Sequence, residues 1–370
     1  MKISVNADTT WLIQLPRPDL DPSAQGTSTS TPDRKFFNIL IDPWLSGPQS
    51  DVASWFSKQW HVIEPALSSI EEVEEFCRAT ERVANDDRLT EDSSVTPTYK
   101  TETRTRTHID GIVISHEFTD HCHKSTLLEC DPSIPVIATT KAANLVRGWK
   151  HFTYVIETPG FERDWRTCRT VIQDTISRTN GSGGGSGGWP DWVGVGRVVT
   201  KSDKFYYHSA VMVLFNLSAS ATSTTTTTTT TTEPSVAKSE AEAETIIYTP
   251  HGIHPESLEQ LSQASPPIST LALLHGLHDV SIDWGQQLNL GAHNGLAAQK
   301  VLNARWWIGT HDEDKKGGGV VSWFLRRKKI PLQDAMSQVA KAEHEGEESL
   351  GKVNFVDAES GQSLVLADRT

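Results

Sequence analysis

The chain has 370 residues, with 34 Lys and Arg against 47 Asp and Glu, a formal charge of −13, and only 36% hydrophobic residues. No apolar run approaches the ~20 residues of a bilayer-crossing helix, and the opening MKISVNADTTWLIQLP lacks the basic-then-apolar order of a secretory signal, so a cytoplasmic protein without a membrane partner is expected. Four cysteines, Cys77, Cys122, Cys130 and Cys168, do not make a disulfide scaffold in so long a chain, and the negative charge opposes an extended nucleic-acid groove.

Short apolar runs bounded by turn residues predict strands at 11–15, 37–41, 111–115, 134–138, 211–217, 245–248, 269–274 and 305–308. Helices are expected at 69–84, 123–130, 141–149, 292–303 and 332–344. The first carries Ile70, Val73, Phe76, Cys77 and Val83 near helical spacing behind a capping-box start at Ser69. Four stretches read as insertions: 19–34, 86–107, 178–190 around GSGGGSGG, and 218–244, which holds nine consecutive threonines. Such composition buries too little apolar surface to offset its ordering entropy. The expected organisation is one α/β domain over 1–330, followed by a C-terminal helix and tail over 331–370.

Histidine and aspartate concentrate where strands end. The strand GIVIS runs into His116-Glu117-Phe118-Thr119-Asp120-His121-Cys122-His123, and a loop at that point can turn imidazole and carboxylate groups onto one cation. His123 is expected at the surface and Cys122 as a packed thiol. His251 and His254, in HGIH, and His275 and His278, in LLHGLHD, also follow predicted strands, the usual place for a site in an α/β sheet. His311 stands alone in THDEDK, with Asp312, Glu313 and Asp314 beside it expected in solvent.

The segment 116–121 resembles the HxHxDH signature of the metallo-β-lactamase fold. Other landmarks agree in order: NILIDPW at 38–44 resembles the early strand ending in Asp-Pro in the sugar-phosphate-lactonase branch. TIIYTPHG at 245–252 stands where the family has a strand ending in Gly-Asp, and 290–311 resembles the late helix–strand unit with a closing histidine ligand. The resemblance implies an αβ/βα four-layer sandwich and a metal-dependent hydrolase acting through a metal-activated water on an ester, lactone or phosphoester. Two departures bear on the metal: Phe118 replaces the second histidine, and Pro250-His251 replaces Gly-Asp.

Of the ligands the family gives to one metal, only His116 remains, with His208 as the nearest candidate for the middle histidine. Of those given to the other, Asp120, His121 and His311 remain, joined by His251. The resemblance therefore implies one ion rather than two, with zinc favoured over manganese or iron. His116, Asp120, His121, His251 and His311 are the candidate ligands, Asp120 and His116 the candidate catalytic residues, and His208, His254, His275 and His278 candidates for lining the site. The partner implied is a small-molecule substrate. A second reading stays open, in which the divergent site belongs to a non-catalytic member that binds a partner or a ligand. Other motifs fail. GVGRVVT at 194–200 lacks a third glycine and so is not a dinucleotide fingerprint, and RRKK at 326–329 is expected as a solvated face.

Overall fold

The structure, a computed structural model, describes residues 1–18, 34–50, 55–86, 107–180, 188–200, 203, 207–217, 242–282, 286–342 and 353–366. Most of the four stretches read as insertions lie outside these residues. Their edges do not: helix Trp165–Asn180 reaches into the third, and a strand beginning at Ala243 ends the fourth.

In chain order the elements are β1 (Lys2–Ala7), β2 (Thr10–Pro16), β3 (Phe36–Ile41), β4 (Lys58–His61), α1 (Ile70–Asp86), β5 (Gly111–Ile114), α2 (Lys124–Leu127), β6 (Val136–Ala138), α3 (Thr140–Trp149), β7 (Val155–Glu157), α4 (Trp165–Asn180) and β8 (Val193–Val199). There follow β9 (Ser209–Phe215), β10 (Ala243–Thr249), β11 (Ile268–His275), β12 (His278–Ile282), β13 (Gln286–Asn289), α5 (Ala292–Leu302), β14 (Trp306–Ile308), β15 (Lys315–Gly318), β16 (Leu325–Lys329), α6 (Leu332–Ala342), β17 (Phe355–Val356) and β18 (Ser363–Val365).

Two large sheets form, ordered β18-β1-β2-β3-β5-β6-β7 and β17-β14-β11-β10-β9-β8. Alternation along the strands decides the layers. Ile3, Trp11, Ile13, Ile39 and Val113 of the first sheet share one core with Val195, Val211, Val213, Ile246 and Leu274 of the second. The opposite face of the first sheet, Leu12, Leu40, Ile112 and Ile114, packs against Val73 and Cys77 of α1 and Ala142 and Val146 of α3. The opposite face of the second, Val198, Met212, Leu214 and Ile247, packs against Trp165 and Cys168 of α4 and Ala298 and Leu302 of α5. The order is helix–sheet–sheet–helix, the four-layer αβ/βα sandwich that the resemblance implied. Fully burying a large aliphatic or aromatic side chain contributes about 1.5–3 kcal/mol, so the inter-sheet layer is a main source of stability.

The segment after residue 330, expected as a helix and tail, does more than cover the surface. After α6 it adds an edge strand to each sheet, β17 beside β14 and β18 beside β1. GVGRVVT is β8, an antiparallel strand paired with β9 rather than a phosphate loop, and RRKK lies in β16 with all four residues exposed. Among the described residues, no helix is long and apolar enough to cross a membrane.

Topology brings the functional side chains to one edge. β3 and β5 run parallel, as do β10, β11 and β14. Because β1 is antiparallel to β2, and β2 to β3, the end of β1 falls beside the end of β3. Asp8, Asp42, His116, His251 and His311 all follow strand ends there. Asp42 and His311 take left-handed backbone, φ 44° and 59°. That conformation is costly for most L-residues and eased for short polar ones.

Candidate metal centre

Asp42 is fully buried and accepts three hydrogen bonds. The Ser115 amide donates to Oδ1 at 2.7 Å, and the Ser115 hydroxyl and His121 Nδ1 donate to Oδ2, the latter at 2.7 Å. His121 Nε2 therefore faces the interior of the cluster, 3.1 Å from His251 Nε2. His311 is held the same way from the other side, its Nδ1 donating to Oδ2 of the fully buried Asp8 at 2.9 Å. The ligand atoms of His121, His251 and His311 all lie within 4.8 Å of one another. Asp120 approaches the same point, with Oδ1 3.7 Å from His121 Nε2 and Oδ2 3.9 Å from His311 Nε2.

This donor set fits a divalent transition metal. Two nitrogens bound at ~2.0–2.1 Å to one tetrahedral ion lie about 3.3 Å apart, close to the His121–His251 spacing. Two of the three imidazoles give their other N–H to a buried carboxylate, the arrangement that fixes the tautomer of a metal-bound histidine and raises its basicity. The third, His251, has a buried Nδ1 without a hydrogen-bond partner. Burial, then the neighbouring His116, His121 and His311, push His251 well below its ordinary pKa, so it is neutral and able to ligate. Burial works against charge on His121 too, but Asp120 and Asp42 outweigh it and raise its pKa.

Sequence reasoning missed three residues of this cluster. Asp8 sits in a two-residue turn, and Asp42 was visible only as part of the Asp-Pro landmark. The third is Lys315, at the start of β15, whose Nζ lies 2.7 Å from Asp8 Oδ2 and 2.8 Å from Asp120 Oδ2 with its side chain 5% exposed. Burial raises the pKa of Asp8 and Asp120, but Lys315 and the histidines overcome it and hold both carboxylates well below the usual range. No spacing rule singles out a lysine four residues after His311; it arrives because β15 pairs with β4 and is laid against the site.

His116 is buried, its Nε2 donating to the Tyr207 carbonyl at 3.0 Å and its Nδ1 2.9 Å from Ser115 Oγ, whose one proton goes to Asp42. Its ring stacks on His251 at 4.5 Å between centroids, so it flanks the three converging imidazoles. Phe118 lies 5.8 Å from the His251 ring. Of the site-lining candidates, His208 supports from below, its Nδ1 donating to the His251 carbonyl at 3.1 Å. His254 is exposed, 5.6 Å from the His208 ring. His275 is fully buried, with Nδ1 2.6 Å from the Gly276 carbonyl and Nε2 2.8 Å from Asn294 Oδ1. His278, the first residue of β12, lies 3.5 Å from Asp312. None of these four faces the cleft of about 210 Å³ over the cluster, whose walls include Phe118, Asp120, Tyr207, His251, His311 and Lys315.

Two minor expectations are corrected. His123 is buried, its Nδ1 2.9 Å from Thr126 Oγ1, because the loop turns it inward ahead of the single turn of α2. Asp312 is not a solvated neighbour of His311. It accepts the amides of Leu277 and His278 at 2.6 and 2.8 Å, and burial pushes its pKa up to about 7.

No family model matches the chain, and no curated protein matches it significantly. Solved structures that resemble it include an isothiocyanate hydrolase from Delia radicum gut bacteria, at 10% identity and TM-score 0.49 over 100% of both chains. A possible metal-dependent hydrolase from Veillonella parvula has 9% identity and TM-score 0.49 over 98% of each chain. A metallo-β-lactamase fold protein from Bacillus subtilis has 10% identity and TM-score 0.40, over 98% of this chain and 99% of that one. The functional reading therefore rests on the side chains of this protein.

Proposed function

We propose that the protein is a metal-dependent hydrolase of a small ester, lactone or phosphoester, with one metal ion held by His121, His251 and His311 and with Asp120 at its side. The carrying observation is the convergence of one ring nitrogen from each of His121, His251 and His311, two of these rings being held at Nδ1 by buried carboxylates. A bound zinc, or manganese or iron, supplies a Lewis acid and lowers the pKa of its water toward ~7.

The chain's own groups do the rest. Asp42 and Asp8 hold His121 and His311 in the tautomer whose Nε2 is free. Asp120, kept ionised by Lys315, accepts a hydrogen bond from the attacking water and orients it. His116 stays neutral, since burial and then His121 hold its pKa well down, and its stacked ring fixes that of His251. Lys315 lines the same cleft and places positive charge where negative charge develops on the substrate oxygen.

The test is turnover of chelator-stripped protein on ester, lactone and phosphoester panels, before and after adding zinc, manganese or iron. Metal-dependent turnover that falls about 100-fold or more in His121→Ala is expected. Absence of turnover with every metal supports the second reading, a binding protein with a divergent site. One observation favours that reading: Phe118 faces the cleft where the resembling signature has a ligand.

A further inference from the structure

Asp8 and Asp120 are two buried carboxylates that meet at one point. Their Oδ2 atoms share a single ammonium, at 2.7 and 2.8 Å from Lys315 Nζ, and His311 Nδ1 stands 3.4 Å from the same nitrogen. The side-chain exposures are 0% for Asp8, 11% for Asp120 and 5% for Lys315, so water does little to screen this charge. Two buried anions in contact need a cation, since an uncompensated buried charge is strongly destabilising. Ligand atoms of Asp8, Asp120 and His311 also lie within 4.8 Å of one another, the spacing of a metal site in their own right. This group is distinct from His121, His251 and His311 and shares only His311 with it.

We infer that Lys315 is a built-in cation occupying a second metal position, so that removing its ammonium opens a new divalent-metal site between the carboxylates of Asp8 and Asp120, beside His311. The inference extends the proposed one-metal reading, which it rests on only for the first ion. An ammonium is a compact, three-donor point charge on a flexible stem, and here Nζ stands over the Trp44 ring, 5.6 Å from its centroid. It neutralises the carboxylates without the open coordination position that a metal would bring. The architecture thus pairs one exchangeable cation with one covalently tethered cation.

The experiment is metal content per chain by plasma mass spectrometry after loading with zinc or manganese and desalting, alongside thermal melting with and without chelator. Lys315→Met keeps the stem and removes the charge. It should carry one more metal equivalent than the wild type, and chelator should lower its melting temperature more. Asp8→Asn added to Lys315→Met should remove the extra equivalent and also weaken the first, since Asp8 orients His311, and Lys315→Arg should not gain one. The same metal content in Lys315→Met as in the wild type overturns the inference. Because the readout is an increment, a metal-free wild type with one equivalent in Lys315→Met counts against the proposed first site and for this one. Should Lys315→Met not fold, the metal content of the wild type decides. At most one equivalent is expected, and two equivalents refute the assignment.

Discussion

Asp42→Asn separates the orienting role of this residue from its packing. Asparagine has nearly the same size and tolerates the left-handed backbone at φ 44°, so the main chain is not strained. The carboxylate accepts from the Ser115 amide on one oxygen and from His121 Nδ1 and the Ser115 hydroxyl on the other. An amide has one acceptor and one donor end. With its oxygen kept on the fixed Ser115 amide, the NH2 group faces His121, and the imidazole must give up its Nδ1 proton. The proton then moves to Nε2, the atom aimed at the metal. Loss of an orienting partner of this kind weakens metal binding about 10–100-fold, roughly 1.4–2.7 kcal/mol. A buried donor left without an acceptor costs about 1–3 kcal/mol of stability. Chelator-competition titration measures the first, and urea unfolding of the metal-free protein the second. Lower stability with unchanged metal affinity would show that Asp42 only braces the loop, and the tautomer argument would fail.

Gly295→Ala should cost about 1–3 kcal/mol in urea unfolding, because a Cβ there would stand 2.2 Å from Cζ2 of the fully buried Trp307; no loss would mean that α5 is packed less closely. In metal-free protein, the melting temperature should fall on acidification from pH ~6.5 toward 4. Burial lowers the pKa of His116, His251, His275 and His311, and burial with Arg327 and Lys329 pushes His278 down to about 4. In that window the unfolded chain binds more protons than the folded one, so stability rises with pH. His121, raised by Asp120 and Asp42 against burial, and Asp312, pushed up by burial to about 7, contribute the opposite sign, and a melting temperature flat across the window would mean that these two offset the other histidines. Replacing residues 218–241 by a short Gly-Ser bridge should leave melting and metal content nearly unchanged. Phe215 pairs with Glu244 in the β9–β10 register, so the flanking ends are adjacent, and halving a loop changes its closure cost by only about 0.6 kcal/mol; loss of soluble protein would show that the segment belongs to the fold.

Strands with one continuous apolar run were legible in the sequence. β3, β9, β10 and β11 stand within a few residues of where runs such as FFNILI and TIIYT place them, because burial on both faces leaves little choice of identity. Elements defined by partners rather than by their own composition were not. α4 has Trp165, Cys168, Ile172 and Ile176 at spacings of three and four, but its arginines and threonines dilute the pattern, and packing under β8 supplies what propensity does not. β17 and β18 are two and three residues long and exist only as edges of sheets already formed. The histidines of the centre were legible for the same reason as the strands they follow. His116, Asp120, His121, His251 and His311 stand at strand ends that the apolar runs locate. Asp8 and Asp42 are ordinary charged residues just after strands and Lys315 opens a short strand, and only the folded geometry shows that they converge on the same cluster.

The central claim is that His121, His251 and His311 hold one metal ion, and anomalous diffraction from zinc-loaded crystals at the zinc edge tests it most directly. The account predicts one strong peak within about 2.0–2.1 Å of all three Nε2 atoms, with Lys315 still paired to Asp8 and Asp120. No peak at this position in crystals that hold zinc elsewhere, or a peak between Asp8 and Asp120 with Lys315 displaced, would contradict it.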